Sequence, residues 1–199
     1  LWNASLNGSS AMVRSLLEAG ADPNAALILG ETVVMTAARS GNAGLVGQLL
    51  AKGADPNANA ARGQTALMWA AAQGHSDVVG ALLAHGADVH ARSDVWSELH
   101  KTDLEQAGHR DYQIWIQQGG NTPLMFAVRA GDLASSQMLV AAGADVNAAD
   151  DHGVAPLARA AENASVPIVD RLLGAGADTN AAQTSGLTPL MTAARTGNR

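Results

Sequence analysis

The sequence predicts an all-α solenoid: short paired helices stacked in about five similar layers, interrupted by one long insertion. Three observations carry this. Gly-Ala-Asp recurs at 20–22, 53–55 and 86–88 with a spacing of 33 residues, and again at 143–145 and 176–178 with the same spacing. Other landmarks keep the same phase, with Gly8, Gly41, Gly74, Gly131, Ala164 and Gly197 in one column and Leu16-Leu17, Leu49-Leu50, Leu82-Leu83, Leu139-Val140 and Leu172-Leu173 in another. Hydrophobic residues make up 47% of the chain but aromatics only 3%, so Ala, Leu, Val and Met must fill the interior. Such small side chains suit many thin layers better than one large core.

Each unit has a physical reading. A start such as Thr122-Pro123-Leu124 supplies a hydroxyl to cap the first helix, with Pro in a first turn where no N–H is needed. A Gly turn leads to a second helix that ends in Leu-Leu, and the following Gly suits a left-handed C-terminal cap. Asp55-Pro56-Asn57 and its equivalents are turn residues whose side-chain oxygens bond local backbone. Pro167 falls in the first turn of a second helix and does not break it. The interval between the third and fourth Gly-Ala-Asp is 57 residues, 24 more than the period, which places an insertion there. The expected units are a partial one at 1–29, repeats at 30–62, 63–92, 120–152 and 153–185, and a partial one at 186–199, with the insertion at 93–119. In the first unit only the second helix is clearly patterned.

The 33-residue period, with the run Gly63-Gln64-Thr65-Ala66-Leu67-Met68-Trp69-Ala70-Ala71 leading to Gly74-His75 and Gly86-Ala87-Asp88, resembles the ankyrin repeat over all but the insertion. The resemblance implies antiparallel helix pairs joined by hairpin-like turns, a protein-binding role and a concave working surface of hairpin tips and first helices. One departure stands out. The position commonly held by His after Thr-Pro-Leu is Met35, Met68, Met125, Ala158 and Met191 here, so the family's Thr–His bracing is absent and Met packing is expected in its place. Some units look most like bacterial ankyrin proteins, many of them exported, which implies a periplasmic or extracellular address.

Charge excludes some functions. A formal charge of −6 argues against nonspecific nucleic-acid binding and against an anionic membrane surface, both of which need basic patches. No apolar run approaches the ~18 residues of a membrane span. There is no Cys, hence no disulfide, zinc-thiolate or Cys nucleophile. Phosphate-cradling Gly-rich loops, His-Glu-x-x-His and Gly-x-Ser-x-Gly are missing, so a non-enzymatic chain with no cofactor is expected. Asn3, Asn7 and Asn163 match the glycosylation triplet, a pattern frequent by chance.

Candidate binding residues come from two places. In the resemblance to ankyrin proteins, positions just after the first-helix Ala pair face the groove; here they are Arg39, Ala72, Arg129, Glu162 and Arg195, with Arg159 one turn earlier near the column of Trp69 and Phe126. Arginine collected there suits an acidic partner segment through bidentate bonds; the alternative is ordinary solvated helix residues. The insertion is the second place. Trp69, Trp96, Tyr112, Trp115 and Phe126 lie in or beside it, and Trp, Tyr and Arg are enriched at binding hot spots. Its tryptophans either fold it back as a local mini-core or present an aromatic edge, and both can hold at once. A rival reading makes the insertion a small-molecule or metal site, with His100, Asp103, Glu105 and His109 as ligands. Neither end is a polar cap: Leu190 and Met191 are expected to be open unless the chain continues, another molecule covers them, or copies associate end to end. The opening at Leu1 fits a processed or partial product, and the partial last unit fits an array tethering a domain of a larger bacterial protein.

Overall fold

The computed structural model describes residues 1–102 and 112–197, with the backbone alone for 98–102 and 112–117. Helices pair in sequence: α1 (Trp2–Leu6) with α2 (Ser10–Glu18), α3 (Val33–Arg39) with α4 (Ala43–Ala51), α5 (Ala66–Ala72) with α6 (Ser76–Ala84), α7 (Pro123–Ala130) with α8 (Leu133–Ala141), and α9 (Pro156–Glu162) with α10 (Val166–Gly174). A final first helix, α11 (Pro189–Thr196), packs on α9. First helices touch first helices and second helices touch second helices along the array, which is the arrangement of a solenoid. The first unit holds more than its pattern suggested, because Trp2–Leu6 forms one helical turn that packs against α3.

None of these helices reaches the ~12–15 residues that an isolated helix needs in water, so packing must supply the stability. Ala37, Ala70, Ala127 and Ala160 are fully buried and let successive first helices approach closely. Leu49, Leu82, Leu139 and Leu172, the leading members of the Leu pairs, are also fully buried, each contributing about 1.5–3 kcal/mol of apolar burial. The threonine caps form as expected: the hydroxyls of Thr32, Thr65, Thr122 and Thr188 accept from the backbone N–H of Met35, Met68, Met125 and Met191 at 3.3–3.4 Å. In the first of these the Met35 sulfur also accepts from the Thr32 N–H at 3.4 Å, closing a reciprocal cap without histidine.

Two ladders of hydrogen bonds join the units outside the helices. Asn24, Asn57 and Asn147 each reach one unit ahead, the amide donating to Gly53, Gly86 or Gly176 O at 3.0–3.3 Å while its oxygen accepts from Asp55, Asp88 or Asp178 N at 2.7–2.8 Å. His90 occupies this column in the third unit, and no such bridge leaves it among the described residues. The second ladder runs through the hairpin tips, where Ala61 N–H donates to Leu29 O, Asp94 to Arg62 O, Asp151 to Gly119 O and Thr184 to His152 O. The tip Ala60–Gln64 turns through Arg62 and Gly63, both left-handed with φ 67° and 65°, and is closed by Ala60 N–H to Gln64 O at 2.9 Å and Gly63 N–H to Ala60 O at 3.1 Å.

That second ladder locates the insertion. Asp94 keeps its bond to the preceding tip and Gly119 keeps its bond to the following one, so the 24 surplus residues, 95–118, leave from and return to a single hairpin tip. Ser93 N–H to Asn121 O at 3.0 Å closes its base, matching Ala60 to Gln64 and Asp150 to Val154 in neighbouring units. Among the described residues of the insertion, β1 (Trp96–Thr102) and β2 (Tyr112–Gln118) form an antiparallel ribbon, with Trp96 opposite Gln118 and Thr102 opposite Tyr112. A strand was not foreseen, although the aromatic and β-branched run Tyr112–Ile116 suits one.

Two outcomes follow. His90→Asn supplies the missing bridge and should raise stability in urea unfolding by about 0.5–1 kcal/mol. Gly119 has φ 130°, and a Cβ there would overlap the carbonyl of Asp94, whereas Gly131 has φ 71° and open space around it. Gly131→Ala should therefore cost about 1–2 kcal/mol, and Gly119→Ala distinctly more by the same measurement.

Candidate functional site

One face of the first helices carries a short row of aromatic and cationic side chains across the joint between the third and fourth units. Trp69 on α5 is half-buried and Phe126 on α7 is buried. Between them lies a pocket of about 230 Å³ whose wall also includes Gln64, Gln73 and Arg129. Arginine covers a ring on each side: Arg39 stands 5.4 Å from the centre of Trp69, and Arg129 stands 4.8 Å from that of Phe126. The following units hold the helix ends in place, with His75 Nε2 3.1 Å from Arg39 O and the Asn163 amide donating to Val128 O and Arg129 O at 3.2–3.3 Å.

The arginines of this face have different partners. Arg39 pairs with Glu31 at 3.0 Å. Arg159 reaches Asp150 at 3.2 Å and Glu162 at 3.0 Å, and Asp150 also accepts from the N–H groups of His152 and Val154 at 3.0 and 2.9 Å. Arg129 pairs with no carboxylate among the described residues. Much of its side chain is exposed, yet its guanidinium sits low enough over Phe126 for desolvation to pull its pKa below the ordinary arginine value, and nearby Arg159 lowers it further. Arginine still carries its charge. Arg195, on α11, is exposed and lines neither pocket.

The structure thus gathers Trp69, Phe126 and Arg129 around one pocket, sets Arg39 over the Trp69 ring outside its wall, and holds Arg159 in an ion-pair cluster near Arg129. Trp96 stands apart from it, half-buried at the root of the ribbon with Arg62 4.5 Å above its ring. Tyr112 and Trp115 lie on β2 opposite Thr102 and Leu99, and their side chains are outside the described ones. Of the alternative metal ligands, Asp103, Glu105 and His109 lie outside the described residues and His100 is described by its backbone alone; elsewhere among the described residues no cluster of three potential ligands occurs. Sequence columns did not reveal Glu31 and Asp150 as internal partners of arginine, nor Gln64 and Gln73 as pocket walls. The Glu31 and Gln64 positions share one column in the returning arm of the hairpin tip, which was the available signal.

A second, larger cavity of about 550 Å³ opens at the last unit, among Leu157, Val166, Val169, Leu173, Pro189 and Leu190. Its rim is apolar and wet, with Leu190 78% and Val166 62% exposed. No helix among the described residues is long and apolar enough to cross a membrane.

Asp150→Ala removes a carboxylate that accepts from two backbone amides and a guanidinium, so it should lower stability by about 2–3 kcal/mol in urea unfolding.

A search of curated proteins finds no significant match. The family model for ankyrin repeats (three copies) matches residues 1–93 and 103–183. With the paired helices, the phase-locked caps and the stacked hairpin tips already described, that match over most of its length shows that the chain belongs to the ankyrin-repeat family.

Proposed function

We propose that the chain is a protein-binding module whose groove, centred on Trp69, Phe126 and Arg129, takes a segment of a partner. Ankyrin repeats in general mediate protein–protein interaction and are typically not enzymes. The observation that carries the reading here is the open pocket between two aromatic rings, each covered by an arginine. Trp and Arg in partly desolvated, well-packed positions are the residue types that dominate binding energy. The ribbon of the insertion extends the proposed surface, with Tyr112 and Trp115 included on residue type alone and Trp96 serving at its root. A scaffold role in a larger bacterial protein, outside the cytoplasm, is the setting that the resemblance favours.

Capture of the native partner on immobilised chain tests this. Trp69→Ala and Arg129→Ala should each weaken capture by about tenfold or more, the loss expected of a hot-spot residue, with helical circular dichroism unchanged. Undiminished capture by both variants refutes the groove.

The exposed apolar rim around the larger cavity favours a second reading, self-association through the last unit. Light scattering over a range of protein concentrations should show mass rising with concentration, and Leu190→Glu should return the chain to monomer. A constant monomer mass in the parent chain removes this reading.

A further inference from the structure

We propose that the pocket between Trp69 and Phe126 is an acid-accepting subsite: it receives one glutamate or aspartate side chain of the partner, whose carboxylate pairs with Arg129. The proposal rests on the groove reading above and names the chemistry at its centre.

Three arginines approach this part of the groove, but two are already bonded. Glu31 occupies Arg39, and Asp150 with Glu162 occupies Arg159. Arg129 lines the pocket without a carboxylate of its own chain among the described residues. Its guanidinium is partly desolvated over Phe126, close to the charge of Arg159, and its charged form is accordingly disfavoured. An incoming anion reverses both effects, since a carboxylate stabilises the cation and offsets the repulsion from Arg159. The net charge of the chain, −6, points the other way. Long-range steering therefore opposes an acidic partner, and the recognition must be local, within about a Debye length of Arg129.

Size and wall chemistry fix the rest. About 230 Å³ is below the roughly 300 Å³ at which small-molecule sites begin, so one side chain rather than a free cofactor is the fitting occupant. Trp69, Met68, Ala72 and Phe126 provide apolar surface for the methylenes, while the amides of Gln64 and Gln73 can donate to the carboxylate oxygens. A lysine at the same place would set a third cation beside Arg129 and Arg159, and an amide would forgo the charge-assisted bond.

The test uses two synthetic probes, acetyl-Ala-Leu-Glu-Leu-Ala-amide and its counterpart with Gln in place of Glu. Each is titrated into the full chain while the indole N–H resonance of Trp69, assigned with Trp69→Phe, is followed by NMR. The Glu peptide should shift it saturably and bind about tenfold tighter than the Gln peptide. Arg129→Gln should remove that preference, whereas Arg14→Gln, at an exposed arginine of α2 that lines neither pocket, should leave it within about twofold. Equal binding of both peptides, abolished only by Trp69→Ala, overturns the acidic assignment and leaves the groove reading intact. Binding that neither Arg129→Gln nor Trp69→Ala alters, or no saturable shift at about 10 mM peptide, overturns the subsite; partner capture by the same variants then decides separately whether the groove survives.

Discussion

Everything in this molecule depends on helices too short to exist alone. Segments of five to nine residues bury their apolar faces only by lying against the equivalent segments of the next unit, and the close approach this needs is made by the fully buried alanines of the first helices. The fold is therefore held by neighbours, layer by layer, and a surface feature is placed by the unit that follows it. Two arginines illustrate this: the helix ends that carry Arg39 and Arg129 are held by His75 and Asn163, one unit ahead.

The architecture was legible because each structural necessity recurs at a fixed interval. Gly74 and Gly131 end their first helices with φ near 70°, Thr32 and its counterparts cap, and the leading Leu of each pair from the second unit onward fills the core. Such one-residue, one-role constraints can be read from a column. The ribbon could not be, because a segment that occurs once has no column, and its two strands are defined by pairing across an intervening segment. Nor did replacement of His by Met35 read correctly in full. The expectation was loss of the brace with packing in its place, and the structure adds a sulfur that accepts the Thr32 N–H.

The site was legible in part, for the same reason. Column logic brought forward Arg39, Arg129 and Arg195 as equivalent positions, with Arg159 one turn earlier, yet equivalence ends at the backbone. A glutamate in the returning arm of one hairpin tip and an aspartate at the base of another neutralise two of them, and neither acid lies in the arginine column. Periodicity predicts where a side chain is presented; the irregular residues across the joint decide whether it is occupied.

One irregularity bears on how the array moves. The joint between the third and fourth units is the one at which His90 stands in the column of bridging asparagines, and the same joint carries Trp69 on one side and Phe126 on the other. Elsewhere each asparagine resists splaying of adjacent units; here that restraint is lacking on the far side of the layer. Across this joint the Arg92 guanidinium donates to Ala149 O instead, so the spacing of the two rings is set by the packing of α5 on α7 together with that reach, and a change at either would tilt every unit that follows.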